Sequence, residues 1–205
     1  MFIRILIFLL VLIISLILLS CIQNEIPLTL LTPADTSIFE IDSTLYEIEK
    51  YIVYEKILGI TTYQFIILDS TASDWWIEDY PDYLPERINS IQQLKPETVQ
   101  IYMEFNLKRY QIEPNFSDSL NYQLISPSRF DSIMTNGWWP YFYTLYPNTH
   151  EVYNFTNPGF DRKFSQCIVY MGYLVYGRAG GGKFMYLEKE NNNWLIKYEI
   201  MVWVS

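Results

Sequence analysis

Lys183-Phe184-Met185-Tyr186-Leu187-Glu188-Lys189-Glu190-Asn191-Asn192-Asn193-Trp194-Leu195-Ile196-Lys197-Tyr198-Glu199-Ile200-Met201-Val202-Trp203-Val204 reads as two strands and the turn that joins them. Aromatic and β-branched side chains fill both arms, and such residues suit a pleated, half-buried surface. Asparagine tolerates positive φ, so the triplet 191–193 makes the connection a tight hairpin. Residues 151–155 and 163–176 have the same character, which predicts that the chain closes in an antiparallel meander of about four strands.

The first half is patterned differently. Leu45, Ile48, Tyr51, Ile52, Glu55 and Leu58 recur near helical spacing, with Asp42 or Ser43 as a cap and Gly59 as a stop. Residues 61–69 predict a strand. A helix is expected from residue 85 or 86 to Leu94. Pro96 suits the first position of the next, which runs to about Tyr110 with Val99, Ile101, Tyr102, Phe105 and Leu107 available for burial. Residues 120–125 read as a strand and Ser126-Pro127 as the start of a short helix around Phe130 and Met134. Asn136-Gly137 breaks that helix, and an aromatic helical segment over residues 138–146 follows. The expected fold is α+β: a helical N-terminal half with one or two strands, packed on the C-terminal meander.

At the other end, Arg4 precedes an apolar run over residues 5–19 that stops at Leu18-Leu19-Ser20-Cys21. A basic start, an apolar stretch of this length and a small residue before cysteine read as a secretory signal. Leu-Leu-Ser-Cys resembles the lipobox of bacterial lipoproteins. That resemblance implies cleavage before Cys21 and acylation of its thiol, with palmitate as the expected label. The competing reading is an uncleaved anchor, although residues 5–19 as a helix would cover about 22 Å of a bilayer core of about 30 Å. The expected organisation is a signal peptide over 1–20, a lipidated Cys21 with a flexible tether over 21–37, and one α+β domain over 38–205, outside the cytoplasm and held at the membrane of the cell envelope.

Loss of residues 1–20 removes Arg4 and takes the net charge from -9 to -10. An acidic chain repels phosphates, so nucleic acid is not an expected partner. With Cys21 lipidated, Cys167 has no disulfide partner. Strand alternation groups it with Val169 and Met171 as a small core residue. His150, the lone histidine, falls beside the turn residues Pro147-Asn148-Thr149 and reads as solvated. No catalytic residue, metal-ligand set or cofactor is implied.

Three constellations carry chemistry on paper. Gly177-Arg178-Ala179-Gly180-Gly181-Gly182-Lys183 fits the first seven positions of a phosphate-binding P-loop, but Phe184 follows where Ser or Thr and a helix are needed, so the run reads as a flexible hairpin. Asp69, Asp74, Glu78, Asp79 and Asp82 read as a solvated acidic loop, against a divalent-ion site or a carboxylate pair for glycoside cleavage. Trp75, Trp76, Asp79, Tyr80 and Tyr83 are the candidate ligand-binding residues, an aromatic and acidic surface suited to a glycan or a protein ligand. In a second aromatic group, Trp138, Trp139, Tyr141, Tyr143 and Tyr146, the helical spacing of Trp139, Phe142 and Tyr146 indicates core.

Trp138-Trp139, Phe142-Tyr143, Tyr146-Pro147, Gly159-Phe160-Asp161, Asn193-Trp194 and Trp203-Val204-Ser205, in this order, resemble a group of uncharacterised bacterial envelope proteins. The resemblance implies envelope location and the helix-then-meander order, and no activity. The expected function is that of a lipid-anchored envelope protein acting as a binding or interaction module. The alternatives are an envelope glycoside-processing enzyme using the carboxylates between Asp69 and Asp82, and an acidic inhibitor or immunity-type protein.

Overall fold

A computed structural model describes residues 39–59, 63–72, 88, 91–175 and 179–205. The described elements are, in chain order, α1 (Ser43–Leu58), β1 (Gln64–Leu68), α2 (Pro96–Phe105), β2 (Tyr122–Ile125), α3 (Pro127–Leu145), β3 (Thr149–Phe155), β4 (Gly159–Phe160), β5 (Gln166–Val175), β6 (Ala179–Glu190) and β7 (Asn193–Val204). They form an α+β fold around one mixed sheet of order β2-β1-β3-β5-β6-β7, with β4 paired to β5. The strands from β3 to β7 pair antiparallel, as their alternation and turns predict. The two early strands extend the same sheet, and β1 runs parallel to both β2 and β3.

Strand alternation sorts the side chains onto two covered faces. Phe65 and Ile67 of β1, Phe155 of β3 and Cys167, Val169 and Met171 of β5 meet α1 in one buried cluster. From the opposite face, Ile66 and Val152 pack against Phe130, Ile133, Trp139 and Phe142 of α3. Further along that face, Ile168, Tyr170, Phe184 and Tyr186 pack on Tyr102, Ile88 and Ile91. Cys167 is fully buried, and burial pushes its thiol well above the ordinary value, with Asp161 and Glu49 adding to the shift. It is a core residue and an inert one.

Asp42 caps α1, its carboxylate accepting from the amides of Thr44 and Leu45 at 2.9 and 3.0 Å. Of the residues whose spacing predicts the helix, Tyr51 and Leu58 turn inward, but the buried face is centred away from the rest of that stripe. Leu45, Ile48 and Ile52 are exposed, and Tyr46, Lys50, Val53 and Tyr54 are buried. The tyrosines win because each has a hydroxyl partner inside the fold. Tyr46 donates to the Pro158 carbonyl at 2.8 Å, and Tyr54 to that of Thr156 at 2.9 Å. Residues 156–159 thus run through the interior with their polar backbone satisfied by side chains, as burial demands. Asn106 completes the set by accepting from the Asn157 amide at 2.7 Å and donating to its carbonyl at 2.9 Å. The Asn106 side chain also ends α2 at Phe105, short of the predicted Tyr110, and leaves Leu107 exposed. Gly159 is required where β4 touches α2, since a Cβ there would lie 2.5 Å from the Thr98 carbonyl oxygen.

Glycines 180–182 are not a hairpin turn but paired strand residues of β6, opposite Leu174, Tyr173 and Gly172. A Cβ on Gly180 would lie 2.7 Å from the Tyr173 carbonyl oxygen, and rings occupy the space that side chains on Gly181 and Gly182 would fill. A Cβ on Gly181 would lie 2.8 Å from the Tyr173 hydroxyl, and one on Gly182 would overlap both Tyr170 and Trp203. Above Gly182 the Trp203 Nε1 donates to the Tyr170 hydroxyl at 2.8 Å. Lys183 pairs with Glu199 at 3.0 Å, and strand follows it where a phosphate cradle needs the start of a helix. Asn191 and Asn192 both take positive φ, 49° and 64°, in the two-residue turn to β7. That edge strand is protected: the register slips at Lys197 and Val202, and such bulges discourage edge-to-edge pairing.

Candidate ligand-binding groove

The break expected at Asn136-Gly137 falls one residue later. Trp138 sits at φ 58°, ψ -155° between the two halves of α3. That backbone region is costly to any residue with a side chain, and such strain of about 1–3 kcal/mol persists only where the surroundings enforce it. Here Pro140 follows within the second half, while Trp139 is held in the core, stacked on Tyr143 at 5.8 Å and edge-on to Phe142 at 5.2 Å. Fixing Trp139 inward turns its neighbour outward, and the Trp138 side is 47% exposed.

Beside the kink lies a groove of about 750 Å³. One wall is α3, contributing Phe130, Asp131, Met134, Thr135 and the two tryptophans. The other is Leu174 of β5 and Ser205, whose amide donates to the Gly180 carbonyl at 3.0 Å and ties the wall to β6. The volume lies in the range of small-molecule sites, and the chemistry is mixed in the manner of such sites, apolar surface with a few polar groups. Asp131, Thr135 and Trp138 follow one another along α3 and are all exposed. Among the described residues Asp131 is the one ionisable side chain lining the groove.

Of the residues singled out from the sequence, Trp138 and Trp139 line the groove. Trp75, Trp76, Asp79, Tyr80 and Tyr83 lie outside the described residues, as do Asp74, Glu78, Asp82 and Cys21. Asp69 is described, and its backbone bridges two segments, the amide to Ile125 at 2.9 Å and the carbonyl from Ile112 at 2.8 Å. In the second aromatic group Trp139 and Phe142 are buried and Tyr146 is half-buried against them, while Trp138 and Tyr141 are exposed. His150 is exposed, with its ring 5.0 Å from that of Tyr63. Tyr63 and Tyr153 both donate to Glu151, and burial, with the Glu151 charge adding to it, raises both phenols.

Two buried carboxylates serve the fold. Glu49 accepts from Lys189 and from the Trp194 Nε1 at 2.7 Å, joining α1 to the closing hairpin. Asp161 accepts four bonds: from Lys95 Nζ at 2.5 Å, the Ser165 amide at 2.6 Å, the Ser165 hydroxyl at 2.7 Å and the Gln166 amide at 3.0 Å. Burial alone would raise the Asp161 carboxyl, but the bonds from Lys95, Ser165 and Gln166 outweigh it and hold it below the ordinary carboxylate value. Compared with known protein families, curated proteins and solved structures, the chain matches none.

Proposed function

We propose that this chain is a lipid-anchored protein of the bacterial cell envelope whose domain binds a ligand in the groove beside Trp138. The groove supports binding because an exposed indole is presented there on a strained backbone, at the mouth of a space of small-molecule size. Binding fits its described side chains better than hydrolysis does, because glycoside cleavage uses two carboxylates and Asp131 is the one acidic side chain among the described residues of the groove. The Leu-Leu-Ser-Cys pattern and the resemblance to envelope proteins support the anchored location.

Two experiments test the reading. Palmitate label should enter the wild-type chain and be lost in Cys21→Ala; equal labelling of both would remove the lipid anchor. For the groove, 5-fluoroindole is a neutral flat probe. Its ¹⁹F signal should broaden with the full-length chain in lipid nanodiscs and broaden less with Trp138→Ala. Equal broadening by the two proteins would remove the groove as the binding surface.

A further inference from the structure

We infer that the groove takes a neutral or cationic saccharide, with a pyranose ring stacked on Trp138 and its hydroxyls bonded to Asp131 and Thr135. This assignment rests on the binding role proposed for the groove and adds the ligand class. Sugars present a C–H face and a rim of hydroxyls, and the groove offers a complement to each. Trp138 supplies a broad exposed ring, while Phe130 and Met134 from one wall and Leu174 from the other add apolar surface.

The polar groups are also of the right kind. A carboxylate accepts hydroxyl hydrogens at both oxygens, and the Thr135 and Ser205 hydroxyls each donate and accept. From Asp131 to Trp138 the helix advances about 10 Å, so these groups lie along a strip and suit an oligomer better than a single ring. Charge narrows the class further. Among the described residues the groove's one ionisable side chain is an acid, and the chain carries a net charge of -9, a balance that repels uronic or phosphorylated sugars and attracts amino sugars.

Isothermal titration of the full-length chain in nanodiscs tests the assignment with three ligands: a β-1,4-linked N-acetylglucosamine tetramer, its deacetylated cationic form and a tetrameric uronate. The first two should bind and the uronate should not. Trp138→Ala should weaken binding about tenfold, and Asp131→Asn about fivefold with a larger loss for the cationic sugar. Tyr198→Ala, on exposed β7, should leave binding unchanged. Broadening of 5-fluoroindole that depends on Trp138, with no heat from any sugar, would overturn the saccharide and leave the binding role standing. Neither signal would overturn both. Uronate binding as tight as the neutral tetramer, or sugar binding indifferent to Trp138→Ala, would also overturn the assignment.

Discussion

Replacing Asp161 by asparagine tests how the β4–β5 connection is held. One carboxylate oxygen accepts the amides of Ser165 and Gln166, and the other accepts Lys95 Nζ and the Ser165 hydroxyl. Asparagine keeps one acceptor oxygen, which can retain both amides, but it turns an N–H₂ donor toward the lysine. The lysine's charge-assisted bond is lost, worth about 1.5–3 kcal/mol, and the Ser165 hydroxyl must turn from donor to acceptor toward the new N–H₂. Lys95 can swing into water, its side chain being 42% exposed against 0% for Asp161, so the cost stays near about 2–3 kcal/mol. Alanine also strands two buried amides and should cost about 4–5 kcal/mol. Because the native carboxyl lies below its unfolded value, its contribution is complete above an unfolded pKa of about 4 and is lost as pH falls through the native one. Urea unfolding followed by tryptophan fluorescence at pH 7 and pH 3 reads both effects. The gap between wild type and Asp161→Asn should narrow at pH 3. An asparagine variant within about 0.5 kcal/mol of wild type at pH 7, or a gap that does not narrow, would mean that the Lys95–Asp161 bond does not hold the β4–β5 connection.

Gly182→Ala should destabilise by about 2–4 kcal/mol in the same assay, since its Cβ must displace Tyr170 and Trp203 and break their hydrogen bond; an alanine variant as stable as wild type would place those rings elsewhere. Trp138→Gly should be about 1 kcal/mol more stable than Trp138→Ala, because both lose the ring and glycine alone escapes the strain at φ 58°. The opposite order would mean that the kink is unstrained. Asn192→Gly should raise stability by a few tenths of a kcal/mol in the positive-φ turn, and Asn192→Ala should lower it by about 1 kcal/mol; thermal melts that fail to separate the two would argue against that turn.

Elements whose signal is local were legible in the sequence. Asn191-Asn192 announces its own turn, Cys167 follows the alternation of β5, and Asp42 caps the helix that opens the domain. Features decided by distant partners were not. The inward face of α1 depends on carbonyls more than a hundred residues away, at Thr156 and Pro158, which outbid the aliphatic stripe of Leu45, Ile48 and Ile52. The glycine run looks like a turn until Tyr170, Tyr173 and Trp203 are placed above it. The parallel pairing of β1 with β2 and β3 has no counterpart in alternation, which fixes faces and not neighbours. As for the groove, spacing identified Trp139 as core, but the exposure of Trp138 follows from a kink whose position Asn136-Gly137 marked only to within a residue or two.

Ligand binding in the groove turns on Trp138 offering its ring. With 5-fluorotryptophan in the full-length chain and the Trp138 signal identified from Trp138→Phe, ¹⁹F spectra recorded during addition of the N-acetylglucosamine tetramer test this directly. The Trp138 resonance should shift and saturate while that of Trp194, 2% exposed in the core beneath α1, stays in place. A Trp138 signal that does not move in excess tetramer, or a Trp194 signal that moves as far, would contradict it.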